Sequence, residues 1–154
     1  MPKTEDMVAS LSSALETRQP SRDAEGVWWF GLDAGMRLGV RELPGGRECL
    51  VWAVAVPPPP GASPSAREAA AAFLLRLRLA RLRRNPDMTL AMEDDGSCIL
   101  YRKLSPESEC EWRDAVSALL NEAEAMRKLA GSERSGGQPP PSLFSGMGAW
   151  MARP

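Results

Sequence analysis

Phe30-Gly-Leu-Asp33-Ala-Gly35-Met-Arg-Leu38 and Met92-Glu-Asp-Asp95-Gly96-Ser-Cys-Ile-Leu100 follow one pattern: apolar residues, an Asp/Gly turn, then alternating apolar residues. Glycine enters the backbone conformations a tight turn needs, Asp hydrogen-bonds its own turn, and alternation marks a strand with one buried face. Each stretch therefore predicts a β-hairpin. Helix-periodic segments stand before, between and after them, so the chain reads as an α+β domain, an antiparallel sheet flanked by helices.

Outward from the first hairpin, Thr4 caps a helix carrying Glu5 and Asp6 in its first turn and Met7, Val8, Leu11, Ala14 and Leu15 on one face, ending by Gln19-Pro20. Residues 27–32, 36–41 and 48–56 have strand character, joined by Asp33-Ala-Gly35 and Pro44-Gly-Gly46. Pro57–Pro60 forbids helix and central strand and is expected to be a stiff connector. A second helix begins near Ser65 and runs to Arg84, stopped by Asn85-Pro86. Residues 88–92 and 98–101 flank the second turn. Ser105-Pro106-Glu107 opens a third helix in the order cap, N1 proline, acid, and Lys128 with Gly131 closes it. The expected order is α-β-β-β-α-β-β-α over residues 1–131, followed by a flexible Pro/Gly/Ser-rich tail, 132–154. In that tail Leu143-Phe144, Met147 and Trp150-Met151 form an apolar hook.

Composition narrows the chemistry. The 154 residues are 44% apolar and 25% charged, enough for one ordinary core. Histidine is absent, which removes the commonest general base and metal ligand near neutral pH. Cys49, Cys98 and Cys110 are odd in number and lack CxxC spacing, so neither a disulfide framework nor a zinc site is indicated, and three buried, reduced thiols are expected. Asp94 and Asp95 suit a solvated hairpin tip better than a catalytic or metal dyad, and Cys98 has no histidine to activate it. No catalytic residue, metal or cofactor is expected. The first 15 residues do not look like a signal peptide, and no run approaches the roughly 20 apolar residues of a membrane span. Net charge is −1, but residues 65–84 hold six arginines against one glutamate, whereas residues 93–133 hold ten carboxylates against five basic groups. The basic helix and the acidic C-terminal half can complement each other within the fold or across a dimer.

Two features ask for more surface than one small core supplies. Adjacent strand residues point to opposite faces, so Trp28 and Trp29 cannot enter the same core. Residues 50–56 repeat the situation, with Leu50, Trp52, Val54 and Val56 on one face and Val51, Ala53 and Ala55 on the other. Either helices cover both faces or one displays an apolar patch. The second helix has two apolar stripes at 100° per residue. One is Ala72, Leu75, Leu79 and Leu82; the other is Phe73, Leu74 and Leu77. One stripe is expected to meet the core and the other a second subunit or a bound partner. The third helix has one stripe, Trp112, Ala115, Val116, Leu119, Ala123, Met126 and Ala130, with Glu111, Asp114, Glu122 and Lys128 pointing away.

The element order, together with Leu32-Asp33-Ala-Gly35 before Leu38, Thr89-Leu-Ala-Met before the Asp95-Gly96 turn and Cys98-Ile-Leu100, and the closing helix from Trp112 to Ala130, resembles the CesT/Tir-type family of type III secretion chaperones. The resemblance covers roughly residues 4–131. It implies a homodimeric, cytoplasmic bacterial protein that binds an extended N-terminal segment of an effector without ATP, partly by strand addition and partly in apolar pockets. The chaperone would keep that effector soluble and present it to the export apparatus, whose ATPase would be a further partner. On that view Met7, Leu11, Trp28, Phe30, Leu38 and Trp52 are the effector contacts, ordinary core packing being the better account of Leu38. The resemblance also implies a dimer contact in the region of the second helix, placed at Phe73, Leu74, Leu77, Arg78 and Arg81. Two alternatives stay open: a nucleic-acid module using the Arg-rich helix and the sheet tryptophans, disfavoured by arginines spread around the helix, and a regulatory protein of the same fold that sequesters another chaperone or a transcription factor.

Overall fold

The computed structural model describes residues 3–17, 19–56, 61, 63–105 and 109–134. Ten short and long segments alternate along it: α1 (Thr4–Ala14), β1 (Ser21–Arg22), β2 (Trp28–Gly31), β3 (Arg37–Glu42), β4 (Cys49–Val56), α2 (Pro64–Arg81), β5 (Thr89–Met92), β6 (Cys98–Leu104) and α3 (Glu109–Arg134), with a single 3-10 turn at Asp33–Gly35. All strands pair antiparallel in one sheet of order β1-β2-β3-β4-β6-β5. The expected order of elements is therefore present, with β1 added as a two-residue edge. The two Asp/Gly turns work as read: Gly35 and Gly96 have φ of 73° and 85°, and Asp95 accepts a 2.7 Å hydrogen bond from the Ser97 amide.

Helix ends differ in instructive ways. Lys3 stands at the N-cap of α1, and Thr4 is buried one position inside it, its hydroxyl donating to Glu42 Oε2 of β3 at 2.5 Å. The side chain expected to cap the helix instead ties it to the sheet. After α1 the chain turns through Glu16, which takes up a φ of 50°. Ser63 caps α2, accepting from the Ala66 amide at 3.3 Å, with Pro64 in the first turn. α3 continues past Gly131 to Arg134. The Pro57–Pro60 connector, the Pro106–Glu107 start of the third helix and residues 135–154 of the tail lie outside the described residues.

The core lies on one face of the sheet. Phe30, Leu38, Val40, Val51, Ala53, Ala55 and Leu100 of that face form one cluster with Met7, Val8 and Leu11 of α1, Leu74 and Leu77 of α2, and Trp112, Val116, Leu119, Ala123 and Met126 of α3. Val56 was placed by alternation with Leu50, Trp52 and Val54, yet it is buried beside Ala55. A register shift between Val54 and Val56 inserts an irregularity that flips the parity.

Glu122 is the second exception. It does not point away from the core: it is 2% exposed, between α2 and α3. Arg81 donates to both its oxygens, from Nε at 2.7 Å and Nη2 at 2.9 Å, and Asn85 Nδ2 adds a bond at 3.2 Å. Arg78 lies 4.0 Å from the same carboxylate and donates to the main-chain carbonyls of Asn85 and Met88. The charge imbalance between the second helix and the C-terminal half is thus partly resolved inside one subunit. Burial by itself would push Glu122 up, but the bonds from Arg81 and the charges of both arginines outweigh it and hold the carboxyl below its ordinary 4.5. Glu122→Ala should cost roughly 3 kcal/mol in a urea titration at pH 7, because it strands two guanidinium groups. A carboxyl depressed on folding stabilises fully above about pH 4.5 and loses that contribution as pH falls through its folded value. The gap between wild type and variant should therefore narrow below pH 4.5; a gap independent of pH would refute the assignment.

Candidate client-binding site

The sheet face opposite the core carries a continuous row defined by the strand register: Ser21, Trp29, Gly39, Trp52, Tyr101 and Thr89, one residue from each strand. Trp29, Trp52 and Tyr101, with Leu50, Val54 and Ile99 beside them, are half-buried and stand outside the core cluster. The helices' buried side chains all belong to the other face. Of the two possibilities the strand alternation allows, a displayed apolar face is the one adopted.

Gly39 organises this surface. A Cβ built on it would fall 2.3 Å from Cε2 of Trp52, so the indole lies directly against the glycine backbone. Across Gly39 the Trp29 and Trp52 rings meet edge-to-face with centroids 5.4 Å apart. The Arg37 guanidinium stacks 4.5 Å over Trp29, whose indole N–H donates to Asp23 Oδ2 at 2.8 Å. That bond, and the Val27 amide, hold the Asp23 carboxyl below its ordinary 3.8. The two indoles are thus held in place, so this part of the surface is preorganised.

At the β1 end the row opens into a groove of about 1000 Å³ between the end of α1, the β2–β3 turn and α3. Leu15, Leu32, Met36 and Leu120 line it with Trp29, and Glu124, Arg127 and Lys128 form its α3 rim. β1 is both the edge of the sheet and a wall of this groove, through Ser21. An extended segment entering here would find a strand edge that no other described strand pairs, beside walls that are part apolar and part polar.

Of the six residues assigned to effector contact, Met7, Leu11, Phe30 and Leu38 are at most 2% exposed and belong to the core. Trp28 shares their face, half-buried, with the Arg22 guanidinium 5.0 Å from its ring. Trp52 lies on the opposite face. The six do not form one surface, because the register puts Trp52 opposite Gly39 and not opposite Leu38. Trp29 and Tyr101, which sequence reasoning did not select, complete the row with Trp52. Their signal was a glycine in an otherwise alternating strand, which marks a close approach.

The α2 assignment changes in the same way. Leu74, Leu77 and Arg78 are buried, Phe73 is half-buried against the core and Arg81 is bound to Glu122, so this stripe packs within the subunit. The other stripe is the open one: Leu75, Leu79 and Leu82 are 59%, 63% and 42% exposed. Met92 of β5, the sheet edge beside α2, is 45% exposed. Arg78 and Arg81 are engaged inside the protein, whereas Arg67, Arg76, Arg83 and Arg84 are exposed.

Cys49 and Cys98 are both buried, and burial is the main reason the Cys49 thiol sits above its ordinary value. Among the described residues no helix is long and apolar enough to cross a membrane.

No family model and no curated relative matches the chain. Solved structures do. One is the Yersinia pestis type III secretion chaperone SycH bound to a fragment of YscM2, at TM-score 0.51 and 13% identity over 78% of this chain and 96% of that one. The chain has a type III secretion chaperone fold. Two further structures share it: the ExsC–ExsE complex, TM-score 0.57 and 16% identity over 80% of this chain and 90% of that one, and the HopA1–SchA chaperone–effector complex, TM-score 0.54 and 16% identity over 80% and 92%. At such identities it is the architecture that is shared, an α+β fold of three helices and a six-stranded antiparallel sheet.

Gly39→Ala should destabilise the protein by about 1–3 kcal/mol through overpacking against Trp52. In a Trp52→Ala background the same change should cost much less, which a double-mutant cycle of denaturant midpoints would read. Equal costs in both backgrounds would show that the indole does not rest on Gly39.

Proposed function

We propose that this protein is a type III secretion chaperone that binds an extended segment of an effector and keeps it soluble and competent for export. The observation that carries the reading is the open apolar face, Trp29, Trp52 and Tyr101 in one row, running into a groove beside the β1 edge. An effector segment would add to that edge through main-chain hydrogen bonds and fill the groove with alternate side chains. It would continue over the tryptophan row, burying surface that a lone subunit leaves in water. Such binding is stoichiometric and needs no catalytic group or nucleotide. The loaded complex would then be presented to the export apparatus.

The second open surface has a different role in this reading. Leu75, Leu79, Leu82 and Met92 lie at the far edge of the sheet from β1 and suit a two-fold contact with another copy. A homodimer built there leaves both grooves free, so one dimer can hold the client at two places.

Co-expression with candidate effectors should give a soluble complex, and Trp29→Ser/Trp52→Ser should reduce capture at least tenfold while far-ultraviolet circular dichroism stays unchanged. Undiminished capture by that variant would place the client elsewhere. Light scattering of the wild type should give twice the monomer mass, and Leu75→Lys/Leu79→Lys should give the monomer mass; an unchanged mass in the variant would exclude this face as the contact.

A further inference from the structure

The groove has one candidate occupant within its own chain. Its α3 rim includes Arg127 and Lys128, and α3 ends at Arg134, about 9 Å of helical rise beyond Lys128. Residues 135–154 follow, outside the described structure, with Arg153 their single charged side chain. Leu143, Phe144, Met147, Trp150 and Met151 recur at spacings of one, three and four, one stripe of a helical turn pattern. The nine residues from Arg134 to Leu143 reach about 30 Å when extended, more than the return to the groove requires.

We propose that the segment Leu143–Met151 occupies the groove of its own chain and holds it until a client displaces it. The apolar stripe can pack on Leu15, Leu32, Met36 and Leu120, and a segment with so little charge brings few polar groups of its own to desolvate in a groove whose lining is part apolar and part polar. The tether favours the chain's own segment over that of a second copy, because a short linker sets an effective concentration in the millimolar range, far above that of the protein in solution. Occupancy in cis would shield the groove from unrelated sticky sequences, and would weaken client binding by the fraction of time the groove is filled. This inference rests on the groove being the client site.

The test compares the full-length wild type with full-length Leu143→Ser/Phe144→Ser/Trp150→Ser by hydrogen exchange. Segments 15–22, 29–33 and 120–128 should exchange at least about tenfold faster in the variant, while β4 and β6 exchange equally in both and so report an intact fold. A labelled synthetic peptide of residues 138–152 should bind the variant at least about tenfold more tightly than the wild type, whose own segment competes. Equal groove exchange with equal peptide binding would overturn the proposal. So would cross-links found only between chains in a mixture of isotopically light and heavy protein, which would assign the segment to a second copy. Should the triple variant lose protection in β4 and β6, Phe144→Ser alone carries the comparison. Effector capture is scored separately: if neither protein captures an effector while groove protection still differs, the functional reading fails and the cis contact stands. If both capture one and protection does not differ, the reverse holds.

Discussion

The Glu122 carboxylate sits where a charge is tolerated only because partners come with it. Arg81 meets both its oxygens and Arg78 stands beside it, so the bond fixes not only the distance between α2 and α3 but the rotation of α2 about its own axis. With that rotation set, Leu74 and Leu77 must face the core, and Leu75, Leu79 and Leu82 must face outward. A helix with two apolar stripes could otherwise settle in two orientations of similar burial. The ion pair discriminates between them, because the alternative would strand a carboxylate among the side chains of α3. Which apolar stripe of α2 stays open is in that sense chosen by an electrostatic contact inside the protein.

The sheet poses the complementary problem. Helices cover one of its faces, while apolar residues line both. The open face avoids the disorder of a loose hydrophobic surface by locking its rings: Trp52 against Gly39, Trp29 edge-on to Trp52, Arg37 over Trp29, and the Trp29 N–H on Asp23. Side chains already held in one rotamer lose little entropy when a partner arrives, which is how a surface can bind an extended chain with useful affinity.

Much of this was legible in the sequence, and the failures share a cause. The Asp/Gly turns, the strand alternation, the α3 stripe and the order of elements are local patterns, and local patterns were read correctly. What could not be read was parity and rotation. Whether Trp28 or Trp29 turns inward depends on a register fixed by the two neighbouring strands, β1 and β3. Val56 changes face through an irregularity that no spacing rule announces. The choice between the α2 stripes hinges on Glu122, a residue thirty-seven positions beyond Asn85, which it also binds. By charge pattern alone Glu122 belonged to the solvated side of α3. Two of the arginines, Arg78 and Arg81, needed only that one buried acid to become structural.

The two open surfaces lie at opposite edges of one sheet, and that separation matters physically. If the stripe on α2 and the groove beside β1 were contiguous, a second copy and a client would compete for the same water-exposed area, and each would weaken the other. Met92 stands on β5 and the groove lies beside β1 at the other edge of the sheet, but α3 joins the two surfaces: Leu120 and Asn121 line the groove, and Glu122 next to them binds Arg81 of α2. Whatever is seated in the groove meets α3 at Leu120, Arg127 and Lys128, residues outside the open stripe of α2.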